Sequence, residues 1–414
     1  MNEAKQKFCL TSLERAWILY DVGNSAFVLL VATLIPIFFN ALAEGGGLSS
    51  VEYLAYWGYA ASAVTVITAV LSPILGTLAD TRNFKKPIFT FCVAVGVIGC
   101  CAMGMASTWL PFLLIFIFAK VGFSGSLVFY DSMLSDVTVP DRMDEVSSKG
   151  YAWGYIGSCV PFVVCLALVL GAGSIGISQM TALNLALFIT AAWWLVTTLP
   201  LLRQYKQVHF VEVQEHAIRQ SFARIGHTLR HLKEDRQVFW FLLAFFCYID
   251  GVYTIIDMAT AYGTALGLDT TGLLLALLVT QIVAFPSALV FGRLSGQYPS
   301  GTLIPVCIAA YAGIALFAFF LKHQWQFWVL AVVVGMFQGG IQALSRSHFA
   351  KIIPPEKSGE YFGLFDICGK GASFLGTMIV SVGSQLTGSA NVGVGSLIVL
   401  FIVGFVLFRV SDRK

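Results

Sequence analysis

Apolar runs of about twenty residues or more recur along this chain, separated by short polar turns, and that recurrence leaves few folds open. Runs of that length fall at approximately 15–42, 53–79, 87–107, 110–134, 150–170, 179–202, 238–265, 271–292, 302–321, 326–347, 361–386 and 392–410. They are continuous rather than alternating, which excludes the strands of a membrane barrel. Of the 414 residues, 57% are hydrophobic and only 11% charged, against roughly a quarter charged in a soluble protein. The expectation is an all-α membrane protein with twelve transmembrane helices.

Lysine and arginine set the orientation. With the N-terminus inside, the six external turns hold one basic residue, Lys322. Lys120 and Lys370 fall mid-span, and the other 22 of 25 lie on or beside the inner side. Both termini are therefore expected in the cytoplasm. Because topology places the basic residues, the net charge of +3 does not point to nucleic acid. Polar residues with Glu14 and Arg15 precede the first run, which is too long for the core of a cleavable leader. The nine cysteines lack metal-ligand spacing, and small buried hydrophobes are their expected role. No nucleotide-binding loop, Ser-His-Asp set or HExxH motif is visible. Neither a cofactor, ATP drive nor an enzymatic reaction is expected.

The longest connection, 203–237, divides the runs six and six. Phe222, Ile225, Leu229 and Leu232 recur at helical spacing within it, which predicts an amphipathic helix on the inner leaflet. His209, His216, His227 and His231 also sit here; a metal or pH-sensing role competes with the simpler reading of a solvated linker. A weak internal repeat supports the division. "SPILGTLADTRNFKKP" after span 2 answers "ALVFGRLSGQYPSGTLIP" after span 8, and "SDVTVPDRMDEVSSKGYAWGYIGS" answers "FAKIIPPEKSGEYFGLFDICGKGAS" before spans 5 and 11. The organisation expected is two pseudo-symmetric six-helix bundles, 1–202 and 238–414, joined by a cytoplasmic linker. Many secondary transporters are built so, with the substrate site between the halves near the midplane.

Within these stretches, "GTLADTRNFKKP" resembles the G-x-x-x-D-(R/K)-x-G-(R/K)-(R/K) loop of the major facilitator superfamily. Gly76 and Asp80 match, and Lys85 and Lys86 supply the basic pair. Arg82 is displaced by one position, and Asn83-Phe84 stands where glycine is usual. The resemblance implies that the aspartate and arginine latch the halves on the cytoplasmic side. The copy after span 8 keeps Gly292 but has Gly296 in place of the aspartate. "AWILYDVGNSAF", "VFYDSMLSDV", "KGYAWGYIGS", "FCYIDGVYTII" and "GGIQALSRSHFAKIIPPEKSGEYFGLFDICGKGASFLG" together look like the vacuole-effluxer-like branch of that superfamily. Its yeast members are linked to amino-acid export from the vacuole. The resemblance implies the major facilitator fold, spans 7 and 11 as neighbours, and an integral plasma (bacterial inner) membrane location.

Ionisable residues within the hydrocarbon region face protein or water and mark function by default. Asp21 in span 1, Lys120 in span 4, Asp250 and Asp257 in span 7, and Asp366 and Lys370 in span 11 qualify, with Asp131 near the inner end of span 4. At about 1.5 Å per residue, Lys120, Asp250 and Lys370 approach the midplane. Asp250–Lys370 is the expected pair, and Asp366, on one helix face with Lys370, is the rival partner. A pair that merely neutralises itself and fixes packing is the bland alternative. "YDVGNSAF" surrounds Asp21 with Tyr20, Asn24 and Ser25, so Asp21 is expected to look into a wet inner vestibule, binding a cation or proton, or to order the inner gate. Tyr130, Trp153, Tyr155, Tyr248, Tyr253, Gln281, Gln338 and Gln342 complete the expected pocket, although any one of these aromatics is more simply packing or an interface anchor. Trp193-Trp194 reads as lipid-facing or packing.

Acids and bases mixed at mid-depth suit a zwitterionic or small polar solute such as an amino acid. The expected protein is a monomer among membrane lipids that carries this small-molecule substrate by alternating access. A buried carboxylate taking up a proton would couple transport to the proton gradient. Two other readings stay open: a lipid or amphiphile exporter of the same fold, and a transport-inactive membrane sensor whose charges are structural.

Overall fold

In hydrocarbon a backbone must satisfy its own N–H and C=O groups, so each apolar run becomes a helix. The computed structural model describes residues 9–212 and 235–412, with side chains except at 50, 51, 54, 260, 261, 264, 265, 270, 271, 274 and 370–374. Span 1 is Ser12–Ala32 continued by Leu34–Gly45. The break at Thr33 follows from Pro36, whose ring clashes with the carbonyl four residues back. The next five spans are Ser50–Ala79, Lys85–Met103, Trp109–Ser132, Pro140–Leu170 and Gln179–Gln204, with the short helix Leu134–Val137 between spans 4 and 5. Spans 7 to 11 are Arg236–Ala265, Thr270–Leu294, Ser300–Phe319, Gln324–Ile352 and Ser358–Thr387. Span 12 is Ala390–Gly395 followed by Ile398–Ser411.

Among the described residues, eleven helical segments are long and apolar enough to cross a membrane. The remaining span, Ser358–Thr387, carries Asp366 and Lys370 and runs for 30 residues. Spans 5 and 10 outrun their apolar stretches. Span 5 begins at Pro140 rather than near 150, and span 10 continues to Ile352 rather than 347. Their extra turns are polar but packed against protein, so helix persists where hydropathy stops. The amphipathic helix expected near 222–232, with His216, His227 and His231, lies outside the described residues.

The packing repeats with the halves exchanged. Span 1 packs on spans 5 and 6, as span 7 packs on spans 11 and 12. Spans 2 and 3 both pack on span 4, as spans 8 and 9 do on span 10. Across the middle, span 2 lies along span 11, and span 5 lies along span 8. The span 2–11 seam depends on missing side chains. A Cβ at Gly359 would meet the Gly76 carbonyl at 2.5 Å and Asp80 Oδ1 at 2.8 Å. Trp194 is fully buried against Phe27 and Phe123, so it packs rather than facing lipid.

Candidate functional site

Ser12 donates to Gln204 (2.7 Å) and Ser411 to the Gln237 carbonyl (2.9 Å), and Glu14–Arg142 and Asp144–Lys351, both at 2.6 Å, link the start of span 1 through span 5 to the end of span 10; the face that gathers these ends is here the terminal face. Across this face the halves are bolted together. Asp80, which ends span 2, accepts the N–H groups of Gly359 (2.7 Å) and Glu360 (2.8 Å) in the first turn of span 11. A helix N-terminus is a natural seat for an anion. The Lys85 ammonium is fully buried; it donates to Ser358 Oγ at 2.8 Å and lies 3.8 Å from both Asp80 and Asp136. Burial pushes the Asp80 carboxyl up to about 7, while Lys85 and the two amides pull it down.

This latch corrects the expectation for Arg82. Arg82 is exposed, pairs with Glu212 at 3.7 Å and lies over the Phe210 ring, away from Asp80. The cause is Asn83, at φ 66°. Asparagine tolerates this left-handed turn, which glycine usually supplies, and the turn brings Lys85 back under Asp80. Lys86, one residue on, is only half-buried. The residues following span 6 finish the assembly. Tyr205 Oη donates to Asp136 Oδ2 (2.6 Å), and the Val208 and His209 N–H groups reach Oδ1 at 3.3 and 2.9 Å. Val211 N–H then donates to the Asp80 carbonyl (2.7 Å), and Arg82 N–H to the Val211 carbonyl (3.1 Å).

Deeper in the seam sits a residue that the hydropathy reading passed over, Arg346 of span 10. It is 2% exposed. Its guanidinium lies 3.0 Å from Asp131 and 3.8 Å from Asp21, and it donates to Ser147 Oγ (2.9 Å) and the Ser147 carbonyl (3.0 Å). Trp17, Tyr130 and Tyr151 present ring faces to it at 4.6, 5.3 and 4.3 Å. Tyr130 Oη donates to Asp21 (3.2 Å), and Asn24 reaches the other Asp21 oxygen at 3.5 Å. Four of the expected residues, Asp21, Asn24, Tyr130 and Asp131, are thus gathered, but around a cation. Asp21 therefore does not look into a wet vestibule in this structure: packing against the other half has closed the space. Nearer the terminal face Lys351 pairs with Asp144 at 2.6 Å, and Ser347 donates to the same carboxylate.

Further along span 7, Asp257 is exposed. The charge acting on it is Lys120, from the other half, whose ammonium also lies 4.7 Å from the centre of the Phe123 ring. Tyr253, about one turn earlier on the same helix, is half-buried. Asp366 accepts from Ser72 Oγ of span 2 (2.8 Å), and Tyr155 donates to Gln342 (3.1 Å), both across the interface. Gln338 is buried beside them.

Other expected members do not converge. Trp153 lies two residues before Tyr155, about 200° around the helix; it is 47% exposed and meets Phe285 edge-on. Asp250 is fully buried within its own half, accepting the Gly376 N–H (2.9 Å) and Thr254 Oγ1 (3.4 Å). The side chain of Lys370, its expected partner, lies outside the described residues. Tyr248 bonds Ser345 within the same half. A cavity of about 50 Å³ lined from spans 7 to 12 is almost wholly apolar.

Comparison with known proteins bears on this arrangement. The family described as "Vacuole effluxer Atg22 like" matches residues 12–138 and 135–414. The MFS-type transporter YxiO of Bacillus subtilis is 42% identical over 402 residues, 96% of this chain and 94% of its own. Autophagy-related protein 22 of Coccidioides immitis is 25% identical over 315 residues, 65% of this chain and 51% of its own. Among solved structures, the human organic anion transporter MFSD10 (TETRAN) superposes with a TM-score of 0.74 at 13% identity, over 96% of this chain and 98% of its own.

Proposed function

The chain belongs to the vacuole effluxer Atg22-like family of major facilitator transporters, and from that premise we propose that it moves a small polar, amino-acid-like solute across the bilayer by alternating access, driven by protons. One observation carries the reading. The halves are bolted together at Asp80 and Asp144 on the terminal face and at Arg346 deeper in the seam, while Asp257, toward the other end of span 7, stays exposed. A carrier caught with one gate shut has this form.

The solute class rests on Lys120 and Asp257, opposite charges contributed by opposite halves, which suit the two ends of a zwitterion. Proton drive rests on the Arg346 cluster, where two carboxylates share one guanidinium. A buried excess carboxylate is a place for a proton. The terminal face is taken as cytoplasmic because it collects the lysines and arginines. Purified protein in liposomes, given an acid-outside pH gradient and a panel of labelled amino acids, tests the proposal. Accumulation of at least one amino acid that collapses with a protonophore is expected. Lack of exchange or accumulation of any amino acid, with sugars or lysolipids moving instead, would overturn the solute class. Maleimide labelling of intact cells should reach a cysteine at Lys322 and not one at Val208; the reverse would invert the orientation.

A further inference from the structure

We propose that Trp17, Tyr130 and Tyr151, with Asp21 and Asp131, form a binding site for a small organic cation bearing a guanidinium or primary ammonium group, which Arg346 fills as a tethered stand-in while the terminal face is closed. This rests on the alternating-access reading for its motion, not for its chemistry. All five residues belong to spans 1, 4 and 5 of one half, whereas Arg346 reaches in from span 10 of the other. Three aromatic faces within about 6 Å of a cation, closed by carboxylates, make a cation receptor on general grounds.

The receptor is built independently of the arginine. Trp17 Nε1 donates to the Tyr130 carbonyl (2.9 Å), and the two rings stack at 4.3 Å. Tyr130 Oη and Asn24 hold Asp21 from either side, and Tyr20 packs on Tyr130 at 4.8 Å. When the halves rock apart on this face, Arg346 leaves with its own half and the box stays with the other. Two carboxylates then stand in a pocket with no cation, a costly state. A planar guanidinium or compact ammonium at one end of a solute meets both acids and the ring faces, as the arginine does here. Such a cation holds the terminal face open.

Arg346→Ala, made in the full-length chain and purified in detergent, empties the box and allows chemical rescue. The probes are guanidinium and methylammonium at millimolar concentration, with urea as the uncharged planar control. Guanidinium is expected to raise the melting temperature of Arg346→Ala by several degrees, while urea raises neither protein's. Wild type, with its box filled, should respond less than the variant. In Arg346→Ala/Asp131→Asn the affinity should fall about tenfold or more, as a charge-assisted partner is lost. Guanidinium and urea acting alike, or wild type responding as strongly as the variant, would overturn the site. If Arg346→Ala does not survive extraction, the yield of monodisperse Arg346→Gln extracted with guanidinium against urea is read instead, and equal yields count against it. Binding is read here without transport, so a failed rescue leaves the carrier proposal standing, and a failed liposome assay leaves the receptor.

Discussion

Removing Arg346 and removing either carboxylate it meets are unequal losses. Arg346→Ala leaves Asp21 and Asp131 buried together without their cation, a change that costs roughly 3–5 kcal/mol. Asp131→Asn leaves one acid facing one base and should cost clearly less in a thermal unfolding series. A larger loss from Asp131→Asn than from Arg346→Ala would mean the cluster is not short of positive charge. Asp80 yields a pH prediction. Its carboxyl sits at about 7 in the closed latch, against about 3.9 for a hydrated aspartate. On the alternating-access proposal, closure takes up a proton between about pH 4 and about pH 7: the closed state is favoured toward the acid end, loses ground as pH rises, and changes no further above about 7. Spin labels at the ends of spans 2 and 11 should report more closed molecules at pH about 5 than about 8, and Asp80→Asn should flatten the curve. A closed fraction that grows with pH would contradict the assignment. Asp21 and Asp131 were legible as candidates because a carboxylate in an apolar run has few innocent explanations. Arg346 was not, because a basic residue at the end of an apolar run usually reaches for the interface. Nothing in the hydropathy shows that "SRSHFAKI" stays helical inside the protein.

At the scale of the element, the span 2–11 seam is the joint most sensitive to a single atom. A methyl group at Gly359 has nowhere to go, since the Gly76 carbonyl and Asp80 Oδ1 already occupy its place. Gly359→Ala should leave membrane insertion intact but wedge the seam. Labelling of Ser358→Cys, counted over the label taken up by the parent, should rise several-fold in that background. Unchanged labelling would show that the two backbones part more easily than their packing implies. Eleven of the crossings could be read from apolar length among the described residues, because hydrocarbon imposes that length. The starts and stops of spans 5 and 10 could not, because their polar turns are dictated by the opposing half. Trp153 and Tyr155 illustrate a related limit: residue type put both in one expected pocket, while helical periodicity sends them to different surroundings.

For the whole molecule, pairwise similarity of the halves was visible in the repeated loops, and the packing repeats accordingly. Where the halves are joined was not visible, since that depends on contacts between residues about two hundred positions apart, such as Ser147 with Arg346. The segment from Tyr205 to Val211 has a consequence for biosynthesis. Asp136 is buried, and three of its hydrogen-bond donors, the Tyr205 hydroxyl and the Val208 and His209 amides, are the last part of the first half to leave the ribosome. Until they emerge, the first six spans hold a carboxylate that Lys85 alone must neutralise. A gene cut after codon 203 should thus give a first fragment that is degraded unless the second arrives quickly, whereas a cut after codon 212 should give one that accumulates by itself and later recruits its complement. Pulse-chase lifetimes of the two fragments, expressed alone, would decide it; equal lifetimes would mean the quality-control machinery does not sense that unfinished end.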